Sequence, residues 1–235
     1  MREPAFPPML SGEPVAAGID PFDKARAMAA LGCEAGLIAY RATEGRLAAA
    51  LVLAPEVPLE SAMAMLPACG VGFQNALGAL GPAELAVHLD WGGGIRVGGA
   101  ACGRLRAAAG TADPAAVPGW LVIGLEVPFE LGTANPGEDP GRTALYEEGC
   151  AGLDPVHLLE AWARHTLVWI RRWEDGELRA LQAQWRGLVD AIGEEVTQNG
   201  LSGTFLGVDE HFGMLLRDGE TTDLIALSTV LENGA

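Results

Sequence analysis

The chain has almost no lysine. Lys24 is the only one in 235 residues, and 15 lysines and arginines together face 31 aspartates and glutamates, a formal net charge of -16. A surface of that sign repels nucleic-acid phosphates and anionic membranes, and no basic run longer than Arg171-Arg172 offsets it, so neither class of partner is expected. The four cysteines, Cys33, Cys69, Cys102 and Cys150, form no C-x-x-C pair and have no neighbouring histidine ligands, which argues against a zinc site and against a disulfide framework. Reduced, mostly buried thiols are expected. The apolar runs fall short of a membrane span, and the proline-broken start Met1-Arg2-Glu3-Pro4-Ala5-Phe6-Pro7-Pro8 lacks the apolar core of a signal peptide, so a cytoplasmic location is expected. There is no internal repeat, no Gly-Lys pair of a phosphate-binding loop and no G-x-S-x-G elbow.

What is present is enough apolar chain for one large core: 49% of residues are hydrophobic and 20% charged, and one main domain with a small appendage is the natural division. Asp20-Pro21 is a cap followed by a first-turn proline and predicts a helix through Met28. Leu37 to Arg41 and Leu47 to Leu53 read as strands joined by a tight hairpin. Pro58 to Leu80 reads as a helix interrupted at Pro67. From Glu84 to Trp91 the residues alternate, Leu85, Val87, Leu89 and Trp91 on one face and Glu84, Ala86, His88 and Asp90 on the other. Ile95 to Val97 and Cys102 to Ala107 form a hairpin around Gly98-Gly99, and Leu121 to Val127 is a strand buried on both faces. Asp154-Pro155 caps a long helix whose Leu158, Leu159, Trp162, Trp169, Ile170 and Trp173 recur at helical spacing, a stripe that reads as core rather than ligand box. Leu178 to Leu188 continues as a second helix, and Gly203 to Leu231 as several short strands.

The stretch from Asp90 to Arg106, with Trp91, Val97, Gly99, Gly103 and Leu105 in register, resembles the active-site segment K-W-P-N-D of biotin protein ligases and of the wider biotin/lipoate A/B protein ligase family. Val122-Ile123-Gly124-Leu125-Glu126-Val127 is similar to the family's G-x-G-x-N-V, and Arg142-Thr143-Ala144-Leu145 to its a-T-S-L. The tail, Gly203 to Asp209 and Gly213 to Arg217, resembles the small barrel that ends these ligases. The resemblance covers residues 20 to 235 in order. It implies an α+β fold of the class II synthetase-like, biotin ligase-like kind, a mixed β-sheet with helices packed on one face, in residues 1–185, followed by an SH3-like barrel in 186–235. It leaves no room for the N-terminal winged-helix module of bifunctional members. A homodimer paired through sheet edges is expected by analogy.

The family reaction activates an acid with ATP and passes the acyl group to a lysine, so ATP and biotin are cofactor and substrate by resemblance only. Charge develops on phosphate oxygens, and positioned cations are required. Here Asp90 stands at the lysine position, Gly92, Gly93 and Gly94 at P-N-D, Glu126 at the asparagine and Ala144 at the serine, and the arginine-rich loop between the first two hairpin strands is deleted. The candidate ligand-binding residues are His88, Asp90, Trp91, Gly92, Gly93, Gly94, Gly103, Arg104, Glu126 and Arg142. His88 and Asp90 lie on one strand face, roughly 7 Å apart between Cα atoms, and either hold a ligand's polar group or form a polar strand end. Arg96, Arg104, Arg106 and Arg142 either converge on the pocket or solvate a hairpin. Cys102 is either a thioester nucleophile near Arg104 or a packing residue. His165 reads as a packing histidine, and His157 and His211 as surface residues. Two functions follow: a protein that has lost standard adenylation and binds a small ligand, such as a carboxylate or nucleotide-like compound, or a working ligase or acyl transferase with a rearranged site. The expected pocket borders Asp90, Arg104 and Glu126 and favours a neutral or amine-bearing compound.

Overall fold

The computed structural model describes residues 2–132 and 141–232. Its main sheet has seven strands. β1 (Ser11–Pro14) pairs in parallel with β2 (Leu37–Thr43), and every other pairing is antiparallel, giving a mixed sheet. Between them, α1 (Pro21–Ala30) starts as its sequence dictates: the Asp20 carboxylate accepts from the Phe22 N–H at 2.9 Å and Pro21 fills the first turn. β2 turns through Glu44-Gly45 into β3 (Arg46–Leu53).

The stretch after Pro58 divides into α2 (Leu59–Ala62) and α3 (Met65–Leu80). The break falls at Met63-Ala64 rather than at Pro67, because Pro67 lies in the first turn of α3, where no intrahelical N–H is needed. Contrary to the sequence expectation, Leu59–Leu80 is long and apolar enough to cross a membrane by length and composition. Its most apolar window is 72% buried inside the fold, the mark of a core helix. β4 (Val87–Leu89), β5 (Gly94–Val97), β6 (Ala100–Ala109) and β7 (Leu121–Pro128) complete a sheet of order β1-β2-β3-β7-β6-β5-β4.

Strand alternation assigns the two faces. Leu47, Ala49, Leu51, Ile123, Leu125 and Val127 face α3 and the capped helix α4 (Pro155–Glu174), forming the large core. Ala39, Ala50, Val52, Ala108 and Val122 face α1 on the opposite side. The sheet residues there are small because Phe22 presses on them: a Cβ added to Gly124 would stand 2.7 Å from its ring. Helix cover therefore extends to both faces, with α1 occupying only part of the second. The tryptophan stripe is core. Trp162 is fully buried and its Nε1 donates to the Cys69 carbonyl at 3.1 Å, while Trp169 Nε1 donates to Asn75 at 2.8 Å.

After α5 (Leu178–Arg186) the chain runs along the free edge of β4, where Leu89 and Asp190 N–H groups bond across to Leu188 and Leu89 carbonyls. It then forms a second sheet from β8 (Glu195–Gln198), β9 (Leu201–Val208), β10 (Met214–Asp218) and β11 (Thr221–Ile225), order β11-β10-β9-β8, all antiparallel. These pairings make an open four-stranded sheet, not a closed barrel. The connection Asp209 to Gly213 plugs this sheet into the main body. Phe212 is fully buried edge-on against Trp185, and its carbonyl accepts from Trp91 Nε1 at 2.7 Å.

Candidate functional site: an arginine-lined cleft on the open face of the sheet

α1 leaves the far ends of β3, β7 and β6 uncovered, and the polar residues of those strands meet there. Register places Arg46 beside Pro128, Ala48 beside Glu126 and Arg104 beside Glu126. The three side chains share a face, and the Glu126 carboxylate gathers three guanidinium groups. Its Oε2 accepts from Arg46 at 2.9 Å and Arg104 at 3.2 Å, and its Oε1 from Arg106 at 3.2 Å. A cleft of about 620 Å3 opens beside them, lined also by Gly103, Glu130, Arg142 and Thr143.

Exposure separates these arginines. The Arg46 and Arg104 side chains are each 55% exposed and share one carboxylate oxygen, so each ion pair contributes about 0–1 kcal/mol and is readily exchanged for a ligand's oxygen. Arg106 is 10% exposed, is bonded to Asp20 and Glu232 as well, and stacks 4.1 Å from the Phe22 ring centroid. Burial works against its charge, but the bonds to Glu232 and Asp20 outweigh that and raise its pKa. Its partners Asp20 and Glu232 are 33% and 40% exposed, so the network is part-buried and lies between an exposed ion pair and a fully buried one. Arg106 is therefore framework, and Arg46 and Arg104 are the cations on offer.

A bulge shapes the near wall. Ile95 pairs with Gly103 and Arg96 with Ala101, leaving Cys102 as an extra residue whose side chain turns into the core. Burial, reinforced by Glu148 and Cys150, pushes the Cys102 thiol up to about 12, and Arg104 donates to Glu126 instead. Cys102 packs; it is not an activated nucleophile. His165 is likewise held below the usual histidine range by burial and by Arg164.

The sequence candidates divide in space. Gly103, Arg104, Glu126 and Arg142 line the one cleft. His88 lines a different, shallow depression between β4 and the second sheet. Asp90, Trp91 and Gly93 border a narrow crevice of about 10 Å3, room for about one water and not for a ligand. Asp90 is turned to Arg96 at 2.9 Å, and the same Arg96 reaches Asp190 at 3.3 Å, so the two carboxylates and the arginine tie the sheet edge to the following linker.

In the Gly92-Gly93-Gly94 turn, packing accounts for two of the three glycines. Gly93 has φ +100° and donates to the Asp90 carbonyl, while Asp90 N–H donates back to the Gly94 carbonyl. A Cβ on Gly93 would meet the Leu105 backbone at 2.9 Å, and one on Gly94 would collide with the Asp90 carboxylate. Gly93 is required by its conformation and close approach and Gly94 by close approach alone, whereas Gly92 is exposed with only Val230 Cγ1 at 3.9 Å. Trp91 likewise serves the docking of Phe212. Sequence reasoning missed Arg46 as a cleft residue, although its place at the start of an alternating strand put it opposite Leu47. Only the pairing of β3 with β7 brings it to Glu126.

Comparison with known proteins agrees with this architecture. The model of the biotin/lipoate A/B protein ligase family matches residues 6–187, and a domain of unknown function, DUF4444, matches residues 192–233. The chain is 59% identical to a biotin protein ligase-like protein of unknown function from Silicibacter sp. TM1040, covering 98% of this chain and 100% of that one at a TM-score of 0.93. It shares its fold with biotin protein ligase from Aquifex aeolicus (17% identity, 86% and 90% covered, TM-score 0.69) and with that from Leishmania major in complex with biotinyl-5-AMP (16%, 93% and 99%, TM-score 0.55). No curated protein matches the chain. With the family model spanning most of its length, this chain belongs to the biotin/lipoate A/B protein ligase family.

Proposed function

We propose that this protein binds a small carboxylate-bearing ligand in the Arg46–Arg104–Glu126 cleft and does not carry out ATP-dependent adenylation. The observation that carries the reading is the pair of half-exposed guanidinium groups sharing one carboxylate oxygen at the edge of a 620 Å3 cleft. In a chain of net charge -16, a cleft with three arginines against Glu126 and Glu130 among the described residues is a local positive site. A monoanion suits it, as in the carboxylate reading of the sequence, and an amine-bearing ligand does not.

A nucleoside triphosphate asks for more. Its phosphates need several uncompensated cations, whereas Glu126 already draws on Arg46 and Arg104. The Asp90 carboxylate is engaged by Arg96, and the hairpin between β2 and β3 is only Glu44-Gly45. The Aquifex aeolicus and Leishmania major proteins have been seen with biotin, which makes biotin and lipoate the first carboxylates to try.

The test is a binding titration of biotin, lipoate, short fatty acids, primary amines and ATP against wild type, R46A and R104A, alongside biotin-dependent ATP–pyrophosphate exchange. Carboxylates are expected to bind wild type and to lose about tenfold in affinity or more in each variant, the value of one charge-assisted hydrogen bond. Exchange is expected at the no-enzyme level, unchanged by D90K. Exchange above that level that R104A abolishes would establish the working-ligase alternative, and binding of amines alone would reverse the ligand class.

A further inference from the structure

The Arg106 guanidinium joins three segments that are far apart in sequence. Its Nε donates to both Glu232 oxygens at 3.0 and 2.9 Å and its Nη2 to one of them at 2.6 Å, while Nη1 donates to Asp20 at 2.6 Å and Glu126 at 3.2 Å. Asp20 is the cap of α1, Glu126 is the centre of the cleft, and Glu232 belongs to the tail that follows the second sheet. That tail is laid against β6, since the Glu232 N–H donates to the Ala107 carbonyl at 2.7 Å.

Charge sharing follows from this geometry. Because Glu232 and Asp20 take most of the donors of Arg106, Arg106 reaches only Oε1 of Glu126, and Oε2 is left to Arg46 and Arg104. A guanidinium that is 10% exposed turns only in part to water when a partner is lost. It must draw harder on the carboxylates that remain, and Glu126 is one of two.

We propose that Glu232 is a latch through which the C-terminal unit, residues 192–232, sets the positive charge that Arg46 and Arg104 present to the cleft. With the latch closed, Glu126 stays shared and the cleft is only mildly positive. With it open, Arg106 claims Glu126, and Arg46 and Arg104 are released toward a ligand. The consequence for ligand affinity rests on the carboxylate reading above, but the latch itself has a separate readout.

That readout is phenylglyoxal labelling, an arginine-selective dicarbonyl reaction followed residue by residue by peptide mass spectrometry. It compares wild type, E232Q and E210Q, the last removing an equal charge from an exposed position of the same unit. E232Q is expected to speed labelling of Arg106 by about fivefold and of Arg104 by about twofold, while E210Q leaves both unchanged, because contact rather than distant charge is at work. Lipoate is expected to bind E232Q roughly two- to fivefold tighter than wild type at equal ionic strength. If E232Q does not fold, E232D, with the carboxylate withdrawn by one methylene, gives the same order of effects at smaller size.

Arg106 labelling that stays at the wild-type rate in a folded Glu232 variant overturns the latch. Faster Arg106 labelling with unchanged Arg104 labelling and unchanged lipoate affinity overturns its coupling to the cleft. If wild type binds no carboxylate, the ligand reading fails, and Arg104 labelling alone decides the coupling.

Discussion

Truncating Phe212 tests how the second sheet is held to the main body. Phe212 is fully buried, packs at 5.6 Å between ring centroids and 87° against Trp185, and sits at φ +61°. Removing its ring leaves a cavity at a buried site, which costs about 3–5 kcal/mol for a phenylalanine. The backbone adds a second, separable quantity. A side chain in the left-handed region costs about 1 kcal/mol that glycine does not, so F212G is expected to be more stable than F212A by about that amount, the reverse of the ordering at an ordinary position. Urea unfolding followed by tryptophan fluorescence measures both, since Trp91 and Trp185 report on the contact directly. F212A is expected to lower stability by about 3–5 kcal/mol, to detach the second sheet before the main body unfolds, and to blue- or red-shift emission in that first phase. A loss below about 1 kcal/mol would refute the claim that Phe212 anchors the sheet. F212G less stable than F212A would refute the backbone argument.

Two further outcomes are expected. Of the four thiols only Cys33 is partly exposed, and Cys102 is pushed up to about 12 by burial, so a thiol reagent at pH 8 should modify one cysteine in the native protein and four after unfolding. Rapid native modification of Cys102 would revive its nucleophilic reading. Glu160 is held down to about 2 by its hydrogen bond from Arg2, which outweighs the opposing burial, helped by the Ala5 N–H. A depressed carboxylate contributes stability that is present above its unfolded value and disappears as pH falls through the folded one. R2A should therefore lift the acid limb of unfolding toward higher pH in the window from about 4.5 down to 2, and identical acid limbs would show that the pair contributes nothing.

Local chemistry made much of this protein legible from its sequence. Asp20-Pro21 and Asp154-Pro155 cap α1 and α4 because a carboxylate before a first-turn proline satisfies free N–H groups wherever it occurs. Val87, Leu89, Ile95 and Val97 are buried in alternation because a strand has a period of two. The hairpin at Asn199-Gly200, with φ +51° and +79°, carries an Asn-Gly turn signal that would have placed β8, but its flanking residues are exposed and offer no apolar pattern. The site was another matter. His88, Asp90 and Gly92 to Gly94 are neighbours of Gly103 and Arg104 in the motif, yet the fold packs Gly93 against Leu105 and Gly94 against Asp90 and opens the cleft elsewhere. Glu126 meets Arg46, Arg104 and Arg106 only because β3 and β6 flank β7 in one register, and Arg106 meets Glu232 only because the tail returns to β6. Sequence period and capping act over a few residues and are written in them; which charges share a carboxylate depends on strand order and chain return, and those exist only once the sheet has formed.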